Sequence, residues 1–127
     1  MKKISVLSSD KSFIKEMNKR IENFNHFIDS ISLLTFALVN KPDIIILDTL
    51  DLPFMNENKV IKCLNEIIPQ SRIIVLLRNS DDFEFLKMLR KNNNIFYSFN
   101  YPSEFLQICE VIENMVKDDQ KVGLEYE

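Results

Sequence analysis

Few side chains in this sequence stand where they could do chemistry, and those gather at the ends of apolar runs. Asp48 closes the run Ile44-Ile45-Ile46-Leu47, and Ser8-Ser9-Asp10 follows Ile4-Ser5-Val6-Leu7. A carboxylate in such a place can act as a nucleophile, ligate a hard cation or cap a turn, the last being common for Asp. Ser8, Ser9 and Asp10 are also the residue types that cap a helix start. The other chemically active types offer less. Cys63 and Cys109 both fall inside helical patterns, with no spacing that suits a metal site or a disulfide, and read as packing thiols. His26, the only histidine, lies beside apolar residues and reads as structural or solvated. A single glycine, Gly123, excludes both GxGxxG and Walker loops, so no glycine-rich phosphate cradle exists. Thirteen asparagines take over turns, as in Asn56-Glu57-Asn58 and Asn92-Asn93-Asn94, because Asn tolerates positive φ better than most residues.

The elements that must position Asp48 follow from periodicity. Five short apolar runs alternate with amphipathic stretches: Ile4 to Leu7, Phe27 to Ile31, Ile44 to Leu47, Ile73 to Leu77 and Ile95 to Phe99. The third and fourth are apolar throughout, which predicts strands covered on both faces in the middle of a parallel sheet. Phe13, Ile14, Met17, Ile21 and Phe24 share one helical face, as do Val60, Ile61, Leu64, Ile67 and Ile68. Leu34, Ala37 and Leu38 mark a shorter helix ended by Asn40-Lys41-Pro42. Asp81 with Glu84 predicts the capped start of a fourth helix carrying Phe85, Leu86 and Leu89. A fifth runs from Ser103 to about Lys117. Such alternation requires right-handed crossovers and an α/β fold with helices on both faces of the sheet. Periodicity does not give the strand order; the expected architecture is the commonest five-stranded solution, three-layered α/β/α in order 2-1-3-4-5, whose functional crevice opens at the carboxyl ends of strands 1 and 3.

At 127 residues the chain suits one domain, expected over 1–117, with 118–127 a charged tail or the start of a connection to something further. Hydrophobic residues at 46% and charged ones at 28% suit a water-exposed globular domain, and the longest apolar runs are strand-sized. The start Met1-Lys2-Lys3 lacks the pattern of a signal peptide, so the expected location is cytoplasmic, with no membrane association. A net charge of −3, with no run of Lys or Arg longer than two, argues against nucleic acid as a partner of this domain.

From Lys2 to about Val116 the order and spacing of several segments resemble the receiver domain of bacterial two-component response regulators. These segments are Lys3-Ile4-Ser5-Val6-Leu7-Ser8-Ser9-Asp10, Lys41-Pro42-Asp43-Ile44-Ile45-Ile46-Leu47-Asp48, Leu52-Pro53-Phe54-Met55-Asn56, Pro69-Gln70-Ser71-Arg72-Ile73-Ile74-Val75-Leu76 and Asn100-Tyr101-Pro102-Ser103. The resemblance implies a flavodoxin-like fold and a phosphoacceptor at Asp48. It places the acidic pair that helps hold Mg²⁺ at Ser8 and Ser9, the hydroxyl of the phosphate relay at Leu77, and its lysine at Tyr101. Asp48 alone matches. Asp10 is a possible substitute acid, and the spacing from Asp48 to Pro53 is one residue longer than the family's.

The replacements act in one direction. Serine hydroxyls are poor substitutes for carboxylates around Mg²⁺, Leu77 makes no hydrogen bond, and Tyr101 supplies no ammonium. The resemblance therefore implies a degenerate, non-enzymatic pseudo-receiver. It would act by protein–protein contact or dimerisation through the face of the fourth helix, fifth strand and fifth helix, without cofactor. Tyr97, Tyr101, Leu106 and Val111 are the candidate residues of that face, with Leu106, Val111 and Tyr101 expected to be its exposed members. The alternative is a phosphorelay receiver in which a histidine kinase phosphorylates Asp48 with weakly held Mg²⁺.

Overall fold

The computed structural model describes residues 2–51, 57–78, 87, 90 and 95–125, apart from the side chains of 51, 57, 58 and 118–125. The sheet has five strands: β1 (Ile4–Leu7), β2 (Asn25–Phe27), β3 (Ile44–Asp48), β4 (Arg72–Leu77) and β5 (Tyr97–Asn100). Their order is β2-β1-β3-β4-β5 and every neighbouring pair is parallel, as the alternation together with the receiver resemblance predicts. Four helices are described: α1 (Lys11–Asn18), α2 (Ser30–Asn40), α3 (Glu57–Ile67) and α4 (Phe105–Glu125). The helix expected from Asp81, the Leu52–Asn56 loop and the Asn92–Asn94 turn lie outside the described residues.

Each face of the sheet has its own core. Leu7, Ile45, Leu47, Ile73, Val75 and Leu77 point toward Leu33 and Ala37 of α2 and Val60, Ile61 and Leu64 of α3. Ile4, Val6, Ile44, Ile46, Ile74, Leu76 and Phe99 point the other way, toward Phe13 and Met17 of α1 and Ile108, Ile112 and Met115 of α4. Strict alternation along β3 with both sides buried explains why its sequence is apolar throughout.

Several boundaries differ from expectation. β2 ends at Phe27 because Asp29 caps α2, its carboxylate accepting from the Ser32 amide (2.8 Å) and hydroxyl (2.8 Å), which draws Ser30 and Ile31 into the helix. Of the residues that mark α2, Ala37 is buried together with Leu33, Leu34 is partly buried and Leu38 is exposed. α1 stops at Asn18, so Ile21 and Phe24 reach the core from the connection that follows it. α4 starts at Phe105, where the Ile108 amide bonds the Glu104 carbonyl, and continues past Lys117 to Glu125. The described left-handed non-glycine position is Lys41 (φ 47°), ending α2, so a lysine rather than an asparagine takes that conformation.

Candidate functional site

The carboxyl ends of β1, β3, β4 and β5 converge on one cluster. Ser8 follows β1, Asp48 is the last residue of β3, Arg78 follows β4 and Tyr101 follows β5. Asp48 is 0% exposed. A carboxylate buried at that depth needs its lone pairs satisfied, and all its bonds come from the protein. Oδ1 accepts from the Leu50 amide (3.0 Å) and Arg78 Nε (2.8 Å). Oδ2 accepts from the Ser8 hydroxyl (2.6 Å) and from Arg78 Nη2. The arginine thus grips both oxygens in the bidentate fork that suits a carboxylate.

The third guanidinium nitrogen extends the cluster: Arg78 Nη1 donates to Asp10 Oδ2 at 2.9 Å. Asp10 is also the N-cap of α1, its Oδ1 accepting from the amides of Ser12 (2.9 Å) and Phe13 (3.2 Å). The Asp10 amide in turn donates to Ser8 Oγ at 3.2 Å. Tyr101 closes the cluster, with the Arg78 guanidinium carbon 4.6 Å from its ring centre, a cation–π contact. That ring is held edge-on by Phe13 (4.9 Å) and Phe105 (5.9 Å), while the Tyr101 amide bonds the Leu77 carbonyl.

Two carboxylates around one cation settle the electrostatics. Burial works against the charge on Arg78, but Asp48 and then Asp10 outweigh it and raise its already high pKa further. Burial also opposes ionisation of Asp10; the Phe13 amide and the Arg78 guanidinium together outweigh it and hold the carboxyl below its usual 3.8. Burial, aided by the charge of Asp10, pushes the Tyr101 phenol up.

The lowered Asp10 pKa gives a stability prediction with a definite sign. A carboxyl depressed in the folded state contributes stability that is present above its unfolded pKa and lost as pH falls through the folded one. Asp10→Asn preserves the cap, since Asn serves as well as Asp there, and removes the charge facing Arg78 together with the oxygen that accepts its Nη1 hydrogen bond. The pair is partly solvated, so the expected cost is about 0.5–1 kcal/mol at neutral pH. The gap between variant and parent should narrow once pH falls below 3.8, the region where Asp10 gains its proton. Urea melts at neutral and strongly acidic pH measure both gaps; an unchanged gap would mean that the Asp10 charge does not stabilise the cluster.

Of the candidates from sequence, Ser8, Asp10, Asp48 and Tyr101 meet at this site. Leu77 does not: it is buried among the residues facing α2 and α3. Ser9 is exposed beside the cluster. Tyr97 and Leu106 are exposed at 43% and 60%, whereas Val111 and Tyr101, expected at the surface, are partly buried against the α1–α4 core because their methyls and ring complete it. Cys109 is buried, which pushes its thiol up, and His26 Nε2 lies 2.6 Å from the Ser8 carbonyl. Arg78 escaped notice in the sequence. Its signal is a lone cation directly after the apolar run Ile73–Leu77, one residue past the position where the relay hydroxyl was sought.

No protein-family model matches the chain, and no curated protein matches it. Solved structures do. The receiver domain of AraT, a response regulator from Geobacillus stearothermophilus, superposes with a TM-score of 0.68 at 18% identity, over 93% of this chain and 97% of that one. The signal receiver domain of an HD domain-containing protein from Pseudomonas fluorescens Pf-5 gives a TM-score of 0.77 at 12% identity, over 94% and 98%. A streptococcal redox sensor, described as evolved from two-component response regulators, gives 0.74 at 18% identity over 98% of this chain, which spans 55% of that longer protein. The fold is the flavodoxin-like fold of response-regulator receiver domains. Among the described residues no helix is long and apolar enough to cross a membrane.

Proposed function

We propose that the chain is a receiver-like regulatory module, held in one state by its own arginine, that acts by protein–protein contact instead of aspartyl phosphorylation. The observation that carries this reading is the buried Asp48 carboxylate with both oxygens engaged by Arg78, Ser8 and the Leu50 amide. Attack on a phosphoryl group needs a free, approachable oxygen, and Asp48 presents none. The cluster does not fit Mg²⁺ either. That ion requires several oxygen donors at short, near-octahedral positions, and the space between Asp10 and Asp48 holds a guanidinium that already balances their charge. Among the described residues no group of three His, Cys, Asp or Glu side chains is arranged to hold a metal.

A cation fixed between these carboxylates leaves nothing for phosphate to switch, and the module is constitutive. Its partner surface is then permanent. On the β5 side, Tyr97 and Leu106 are exposed together with Phe96, which packs against Tyr97 (4.6 Å) and under the Arg72 guanidinium (4.9 Å). This apolar group suits a protein partner. The direct test is intact mass after incubation with acetyl phosphate and Mg²⁺. The chain is expected to remain unmodified. A single phosphoryl adduct, lost in Asp48→Ala, would restore the phosphorelay reading.

A further inference from the structure

The outer face of α2 is apolar where a surface helix should be polar. Ile31, Leu38 and Val39 are exposed at 76%, 59% and 77%, and Ile28, just before the helix, at 65%. With 3.6 residues per turn, Ile31, Thr35, Leu38 and Val39 fall within an arc of about 100°, opposite the buried pair Leu33 and Ala37. From Ser30 to Asn40 the helix carries no charged residue at all. Thr35 does not interrupt the stripe, because its hydroxyl donates to the Ile31 carbonyl (2.9 Å). A helix apolar on both faces is one that is covered on both.

The charges at its two ends say by what. Asp29 stands exposed at the N-terminal end and Lys41 exposed at the C-terminal end, where Lys3 Nζ also reaches the Asn40 carbonyl (3.3 Å). We propose that α2 packs antiparallel on α2 of a second copy of this chain, about a two-fold axis passing beside Thr35. In that register Ile31 meets Val39 of the other copy. Thr35 meets its own counterpart, and Asp29 lies opposite Lys41 at both ends. The interface is self-complementary in shape and charge, as a two-fold contact must be. Opposed helix dipoles add to the match. This pairing is independent of the locked site and uses the edge of the sheet opposite to β5.

One helix pair is smaller than a standard interface, so the expected dimer is weak and concentration-dependent, in the micromolar range. Sedimentation velocity across a concentration series reads it. Val39→Glu and Lys41→Glu should each weaken association at least tenfold, since the first buries a charge and the second sets two acids against each other at both ends. Asp29→Asn should weaken it less while keeping the cap, and Leu106→Glu should leave it unchanged. In a Cys63→Ser background, Thr35→Cys should form an intermolecular disulfide under mild oxidation, because only a residue at the axis meets itself. Circular dichroism confirms that each variant is folded. A parent chain that stays monomeric at every concentration would overturn the pairing. So would a dimer abolished by Leu106→Glu and unaffected by Val39→Glu.

Discussion

Arg78→Ala is expected to lower the unfolding free energy by about 3–5 kcal/mol, the range for removing one partner of a buried ion pair. The magnitude comes from what is left behind. Asp48 is 0% exposed and would keep only the Ser8 hydroxyl and the Leu50 amide of its present donors, without a cation. The Tyr101 ring would also lose the cation on its face. The reverse deletion is milder. In Asp48→Ala the guanidinium retains Asp10 and can turn toward solvent, since the Arg78 side chain is already 16% exposed. Replacing both members, as in Asp48→Asn with Arg78→Met, should cost less than Arg78→Ala alone, because no fully buried charge is left unpaired and Asp10, which also loses the arginine, is partly solvated. Urea denaturation of the parent, the two single variants and the pair measures the asymmetry. A loss of less than about 1 kcal/mol in Arg78→Ala would show that the fork does not hold Asp48 in solution.

The fold was legible because its signal is repeated. Ile44–Leu47 and Ile73–Leu77 are buried on both sides, so their uniform apolar character specifies central parallel strands with little ambiguity. Edges carry a weaker signal. β2 pairs on one side only, and the apolar residues Ile28 and Ile31, which suggested that the strand continued, are exposed side chains flanking the Asp29 cap. Ser8, Asp10, Asp48 and Tyr101 could be gathered from sequence because each ends or follows a strand at a carboxyl edge. Their actual chemistry could not, because it depends on a long side chain reaching back. Arg78 is 30 residues from Asp48 and 68 from Asp10, and no local period links them. A receiver resemblance directs attention to Leu77 and Tyr101 as losses. The structure sets the Tyr101 ring against the Arg78 guanidinium, a contact that stabilises the cation.

If the arginine stands where a metal ion would otherwise balance charge, then exchanging one for the other should be possible within this backbone. The parent chain is expected to show no saturable response to millimolar Mg²⁺ in the backbone NMR signals around Asp48, because the pocket's anionic oxygens are already neutralised and hydrogen-bonded. Ser8→Asp combined with Arg78→Gln should reverse this. The first change sets a second carboxylate against Asp48 Oδ2, where the serine hydroxyl now lies 2.6 Å away. The second removes the competing positive charge while leaving an amide to bond one acid. Three carboxylates, those of Asp10 and Asp48 and the one introduced in place of the Ser8 hydroxyl, would then face one another without a counter-charge. That arrangement destabilises the apo protein and makes it avid for a hard divalent cation. Binding should reach at least the millimolar range. By linkage the melting temperature of the variant should climb with Mg²⁺ while that of the parent stays flat. Ca²⁺ and Mg²⁺ titrations followed by NMR and thermal melts separate a specific site from general screening, since added NaCl at equal ionic strength should not reproduce the effect. Saturable Mg²⁺ binding by the parent, abolished in Asp48→Ala, would mean that the guanidinium yields its place readily and that the site is not locked. No gain in the double variant would mean that the positions of these oxygens, and not the arginine alone, keep the metal out.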